Sequence, residues 1–410
     1  MAFLSLLDDR AKPKGSRDPL GFELTWSYFG RRVIGNLTTI TSSLDNFAVA
    51  LLGFYWSNQL NESIEEQNRH KPIRDTFLRY EQLVDYIRYF GNAKDIMGIT
   101  RVRQRLSDDT FKITLGVGAN QQILSDQVSY GLWGLYSSAA RDTNLVSGND
   151  RLVTELGIEI ADTIIRCLGE TANTLLTLLQ SNKPLDRKQL QALAPAFKKA
   201  IQHKDVQAPL LEALMSGRDK ARIQRELWEI TQSIFRGRQR NPKTVPEFID
   251  AVLAKKTSQA LSQALHEIMS VERVLVAANN IFHYCRRKDG EKVGQILDEL
   301  GRYYYHYLPE TLPAESFPHK EQLQSMLMAF RNSNHEQVLR EVLDLNKKVM
   351  QQRSGAAWVE VVSGKTLRVR VKSEKAELRK QKALEIDWDY DYFLGSYLNI
   401  AQMQLGGGNG

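Results

Sequence analysis

Apolar side chains recur at three- and four-residue steps from Phe22 through Trp26, Phe29, Val33, Ile34 and Leu37, which predicts helix there. From Leu44 to about Leu60 the chain is apolar on most faces, so this helix is expected inside a domain. Lys71-Pro72 suits a first helical turn. Phe77, Tyr80, Leu83, Val84, Ile87 and Phe90 then form a stripe that Gly91-Asn92 ends. A shorter basic helix is expected from Gly98 to Leu106, carrying Arg101, Arg103 and Arg105, and Phe111 to Val117 alternates in the manner of a strand. Gln121 to Ala140 follows as a helix with Leu124, Val128, Leu132, Leu135 and Tyr136 on one stripe. Gly131 and Gly134 weaken it.

Past Ser181-Asn182-Lys183-Pro184, which reads as a boundary, shorter helices are expected over 186–202, 208–216 and 218–235. A helix from Pro246 to about Ser258 precedes a long one from Gln259 to Arg287. Leu261, Leu265, Ile268, Val271, Leu275 and Ala278 give the long helix a near-heptad stripe. More helix follows over 321–349. Trp358 to Lys372 alternates on both sides of Ser363-Gly364, the clearest hairpin pattern in the chain. A final helical segment is expected over 386–404, with Asp387, Asp389 and Asp391 at its positive end.

Between the 121–140 helix and Thr154-Glu155-Leu156-Gly157 lies a short turn-rich excursion. That layout resembles the end of a winged-helix domain, in which a wing is followed by a helix opening on leucine-threonine-x-x-glycine; here Val153 stands at the leucine position. The resemblance covers about a tenth of the chain. It implies a winged-helix-like unit within 72–165, of a kind that contacts either DNA or other proteins. The fold class expected is mainly α: a multi-helix N-terminal domain with that unit, and a helical C-terminal domain carrying one β-hairpin. The divisions expected are 1–71, 72–180, 181–350 and 351–410.

The 410 residues are 42% hydrophobic and 25% charged, within the range of globular chains, with a formal charge of +7. The surplus is uneven. Residues 1–150 hold 17 Lys and Arg against 17 Asp and Glu, whereas 186–256 hold 15 against 8. A second basic run extends from Lys365 to Lys382. Cys167 and Cys285 lie far apart within helical patterns, which excludes a disulfide framework and fits a reducing cytoplasm. The most apolar stretch, Phe47 to Trp56, is half the length of a membrane span, so no membrane association is expected.

These runs direct the functional reading toward a polyanion. Arg236, Arg238, Arg240 and Lys243 sit in a Gly/Pro-containing loop, where guanidinium forks can follow phosphate oxygens. Lys365, Arg368, Arg370 and Lys372 lie on the second hairpin strand and its turn, with Leu367, Val369 and Val371 on its other face. The aromatic cluster in Gly301 to Leu308 reads as a packed helix end, with stacking on bases beside Arg302 as the alternative. Ser363-Gly364-Lys365-Thr366 lacks the upstream glycine of a phosphate-binding loop, and the seven histidines show no metal-ligand spacing. No catalytic residue, metal ligand or cofactor is therefore nominated. The general look resembles bacterial proteins of genome-maintenance or anti-phage systems. The expected role is a non-enzymatic, DNA-associated recognition or scaffold subunit with a protein partner or homo-oligomer. The alternative is a protein-interaction adaptor using the 259–287 helix and the 303–307 aromatics.

Overall fold

Two helices organise the chain, one buried almost all round and the other over its second half. The computed structural model describes residues 13–108, 110–217, 222–237, 240–373 and 377–406, which are mainly α-helical with two small hairpins. The elements in order are α1 (Glu23–Arg31), α2 (Leu44–Gln59), α3 (Glu66–Phe90), α4 (Ile99–Ser107), α5 (Gln127–Tyr130), α6 (Leu132–Asp142), β1 (Val146–Ser147), β2 (Leu152–Val153), α7 (Glu155–Leu168), α8 (Glu170–Gln180) and α9 (Arg187–Ile201). They continue with α10 (Lys204–Ser216), α11 (Arg222–Phe235), α12 (Val245–Leu253), α13 (Gln259–Cys285), α14 (Val293–Leu300), α15 (Lys320–Arg331), α16 (His335–Gln352), β3 (Val359–Val362), β4 (Thr366–Val369), α17 (Gln381–Ile386) and α18 (Leu394–Leu405).

The chain forms two compact units, both discontinuous in sequence. The smaller comprises Met1–Val33 with Lys256–Tyr392, and the larger Ile34–Lys255 with Phe393–Gly410. In the larger unit α2 is central, packed against α3, α6, α7, α9 and α10. Its start is fixed by Ser43, whose hydroxyl accepts the Asn46 amide at 3.1 Å. In the smaller unit α13 plays the same part against α1, α15, α16 and α17. Leu261, Leu265, Ile268, Val271, Leu275 and Ala278 are all fully buried, so its near-heptad stripe is used within the unit.

Several expected elements take a different form. α3 begins at Glu66, ahead of Pro72, because a proline in the second turn removes only one backbone hydrogen bond from a helix that tertiary packing sustains. Residues 111–117 form no strand. With no neighbouring strand, the segment is held by single bonds: the Gln82 side chain pairs with both the N–H and the C=O of Gly116 (3.0 and 2.7 Å), and Ile113 O accepts from Leu185 N. The 121–140 helix breaks at Gly131. The break frees the Leu132 amide to donate to buried Glu81 at 2.6 Å, and a Cβ on Gly131 would lie 2.6 Å from that carboxylate. Residues 387–393 are not a helix start. Asp389 instead accepts Arg379 (2.5 Å) and Asn279 (2.8 Å), and α18 begins only at Leu394.

The turn-rich excursion between α6 and α7 is the antiparallel pair β1–β2. Thr154 caps α7 by accepting the Gly157 amide at 3.3 Å, and a Cβ on Gly157 would meet Leu145 O at 2.3 Å. The threonine-x-x-glycine pattern thus has two physical causes, a cap and a close backbone approach.

Both units bury acids. In the larger unit Glu81 and Asp85 lie one turn apart on α3 with no exposure, and burial holds both carboxyls well above the usual carboxylate range. In the smaller unit Glu272 accepts from Asp389 N (2.5 Å), Tyr390 N (3.1 Å) and Tyr392 OH (2.8 Å). Burial still pushes its carboxyl up to about 8, because three donors only partly replace water around the anion.

Folded Glu272 therefore keeps its proton through a window, above the ordinary value of 4.5, in which the unfolded chain releases it. The folded state binds more protons there, so this group's contribution to stability is full at low pH and falls as pH rises toward about 8. Thermal melts followed by circular dichroism from about pH 5 to about pH 8.5 should show Tm falling in the wild type and a shallower fall in Glu272→Gln. Equal slopes in the two proteins would remove Glu272 as the cause.

Candidate polyanion-binding surface

The most extensive set of exposed cations in the smaller unit begins where α13 ends. Three basic residues, Arg286, Arg287 and Lys288, follow its last turn, where unsatisfied carbonyls and the helix dipole favour positive charge. The chain then runs along the outer edge of β4. Gly290 N donates to Leu367 O (2.8 Å), Leu367 N to Glu291 O (3.0 Å) and Val293 N to Lys365 O (2.9 Å). Asp289 adds a bond from Val369 N (2.9 Å) and an ion pair with Lys372 (2.8 Å). Together these tie the hairpin to the segment that follows α13, so the cations of both segments lie in one region of the smaller unit.

The hairpin has the expected two faces. Leu367 and Val369 are buried, and Ser363 and Gly364 turn the chain at positive φ. β3 and β4 pair with Glu360 opposite Arg368, which places an acid on the basic face. Arg370 is 20% exposed, paired to Glu360 at 2.7 Å and donating to Ala357 O at 3.1 Å, so it holds the hairpin together. Arg368 (62% exposed) lies 4.0 Å from the same carboxylate, and Lys372 (67%) bonds only at its tip. Lys365 is exposed and has no side-chain partner among the described residues.

Neighbouring segments add to this surface. Lys292 bridges to Thr366 by its backbone and is exposed, as are Arg302 beyond α14 and Lys380 and Lys382 around the start of α17. None of these four has a side-chain partner among the described residues. Segments 286–302, 358–373 and 377–382 hold 12 Lys and Arg against 6 Asp and Glu, a surplus of 6. Arg286 is engaged, donating to Val371 O (3.0 Å) and Lys372 O (3.2 Å) with its guanidinium 4.8 Å from the Trp358 ring centre. The sequence signal that points to Lys292 and Arg302 is the cationic end of α13, from which both follow closely.

The 236–243 loop belongs to the larger unit and the hairpin residues to the smaller. Arg236 is exposed and bonds Gln232 at 3.1 Å, and Arg240 is exposed. Arg238 lies outside the described residues. Lys243 donates its backbone N–H to Glu247 at 2.6 Å. That bond, with the charges of Arg240 and Lys243, holds the Glu247 carboxyl below the usual range. Glu247 and Thr244 form a reciprocal cap on α12, so part of the loop's basic charge faces a local acid.

Other arginines in the larger unit close the fold. Arg105 donates to the carbonyls of Asn120, Gln121 and Gln122 and to Tyr86 OH, and Arg101 to those of Gln122 and Leu124. A cleft of about 430 Å³ between the start of α2, the 91–95 turn and the C-terminal halves of α9 and α18 has Arg88 in its lining. Arg88 is already bound to Asp85 (3.2 Å), Asn46 (2.6 Å) and Asp95 (2.9 Å), so that part of the lining is an internal network. Among the described residues no three His, Cys, Asp or Glu side chains gather as a metal cluster, and no helix is long and apolar enough to cross a membrane.

Arg370 and Lys365 should therefore separate cleanly. Arg370→Ala leaves half-buried Glu360 and the Ala357 carbonyl without their donor and should cost about 1–3 kcal/mol, read as a lower Tm. Lys365→Ala should fall within about 0.5 kcal/mol of wild type in the same melt. Equal losses would contradict these assignments. No family model matches the chain, and neither a curated protein nor a solved structure matches it.

Proposed function

We propose that the chain is a non-enzymatic nucleic-acid-associated protein that holds the phosphate backbone on the surface formed by the end of α13, the β3–β4 hairpin and the start of α17. The observation that carries this reading is the set of exposed cations without an acidic partner among the described residues: Lys292, Arg302, Lys365, Lys380 and Lys382. A lysine or arginine already paired to a carboxylate gains little from a phosphate, because one ion pair replaces another. An unpaired one releases a condensed counterion and gains the full electrostatic term. Ties from 289–293 to β4 fix the backbone at Lys292 and Lys365, which lowers the ordering cost of binding there. In this reading DNA is the expected polyanion and the chain acts as a recognition or scaffold subunit. The α6–hairpin–α7 stretch, which carries the winged-helix resemblance, serves as an organiser of the larger unit.

Binding of a labelled DNA should weaken steeply with salt. With about four or five phosphates contacted, the slope of log K against log salt should be near −4 for duplex and near −3 for single strands. Lys292→Ala with Lys365→Ala should lower affinity and flatten the slope by about 1 to 2 units. Affinity that ignores both salt and these substitutions would overturn the proposal.

A further inference from the structure

Between the cleft-lining Arg302 and Tyr303 and the start of α17 stands one exposed aromatic ring that phosphate contact does not require. Tyr304 is 69% exposed, although its neighbour Tyr305 is buried and packs 4.4 Å, centroid to centroid, from Phe330. The Tyr304 backbone is fixed by a two-way amide clamp: its N–H donates to Gln381 Oε1 (3.1 Å) and its carbonyl accepts from Gln381 Nε2 (2.7 Å). A ring placed in water on a clamped backbone loses hydrophobic stabilisation and makes up for none of it inside the unit. Beside it, Tyr303 and Tyr284 line a cleft of about 400 Å³ with Arg287, Lys288, Arg302 and Leu378.

Charge in this cleft is balanced, with Arg287, Lys288 and Arg302 against Glu291, Glu299 and Glu377. Arg287 pairs with Glu377 (3.1 Å), and Lys288 with Glu291 (3.1 Å) and Glu299 (3.5 Å). With its charges balanced the cleft offers a phosphate little net attraction, whereas an uncharged planar group meets hydrogen-bonding groups and the half-buried Tyr303; Tyr284 is buried, with the Lys288 ammonium 4.8 Å from its ring centre. Cations without acidic partners stand near it: Arg302 lines the cleft, Lys292 follows Glu291, and Lys380 and Lys382 flank the clamping Gln381. A base placed against Tyr304 or Tyr303 with its phosphates on those cations satisfies both patterns.

We infer that this surface takes single-stranded nucleic acid, with Tyr304 and Tyr303 as stacking platforms for unpaired bases. The inference rests on the reading of the surface as polyanion-binding. It follows because a duplex keeps its base faces stacked inside, while a single strand offers them, and stacking on aromatic rings tolerates any base.

Fluorescence anisotropy with labelled oligothymidylate of about 20 nucleotides, a duplex of the same length, and unlabelled polyphosphate as a base-free competitor separates the two readings. The wild type should bind the single strand at least about tenfold more tightly than the duplex. Tyr304→Ala should lose about tenfold on the single strand and leave competition by polyphosphate unchanged, and Tyr304→Trp should restore binding. Tyr304 is largely exposed, so these variants should melt like the wild type. Equal affinity for the two DNA forms, or a Tyr304→Ala variant that binds oligothymidylate normally, would overturn the stacking inference while the phosphate reading stands. Failure of all three probes, polyphosphate included, would overturn both.

Discussion

Covering a helix on every side is the constraint from which most of this architecture follows. α2 presents Phe47, Ala48, Val49, Ala50, Leu51, Leu52 and Phe54 in near-unbroken succession, and water is excluded from all of them. No single partner helix can bury such a cylinder, so neighbours from distant parts of the sequence surround it. α13 imposes the same requirement in the smaller unit over its second half, from Val271 to Cys285. The cost appears as trapped polarity. Glu81, Asp85 and Glu272 are enclosed with these helices, and each needs a donor: Leu132 and Gln127 for Glu81 and the 389–392 turn for Glu272 come from far away in sequence, whereas Arg88 reaches Asp85 from one turn along α3.

A second consequence is the use made of arginine. Long segments between helices, such as 108–126, lack a strand ladder to satisfy their carbonyls, and the guanidinium fork supplies several donors from one side chain. Arg79 bonds the carbonyls at the end of α8, and Arg101, Arg105 and Arg187 bond those of the 105–124 region. Charge count along the sequence therefore overstates what the larger unit offers a polyanion. In the smaller unit most of the exposed cations without partners are lysines, whose single ammonium is poorly suited to bridging several carbonyls.

Legibility followed the range of the interaction involved. The Ser43 cap, the Thr154 cap and the periodic stripes of α2, α3 and α13 depend on residues within a turn or two, and their helices lie where the pattern places them. The hairpin around Ser363-Gly364 is local in the same sense. Residues 111–117 and 121–140 were misread because their outcome depends on Gln82 and Glu81, some 30 to 50 residues away. At the candidate surface, alternation assigned Arg368 and Arg370 to one face correctly. It had no means of showing that Glu360 engages Arg370 closely and Arg368 hardly at all.

By itself, then, the sequence determined the helical class, the central helices and the β3–β4 hairpin, because periodicity, capping and turn chemistry act over a few residues. Tertiary structure decided which charges remain for a partner. Burial and pairing remove Arg88, Arg105, Arg286 and Arg370 from the exposed set, leave Lys292 and Lys365 in it, and separate Tyr304 from its buried neighbour Tyr305. Those outcomes rest on contacts between segments about 10 to 90 residues apart, and the physical cause is that a desolvated polar group takes whatever partner the packing brings within reach.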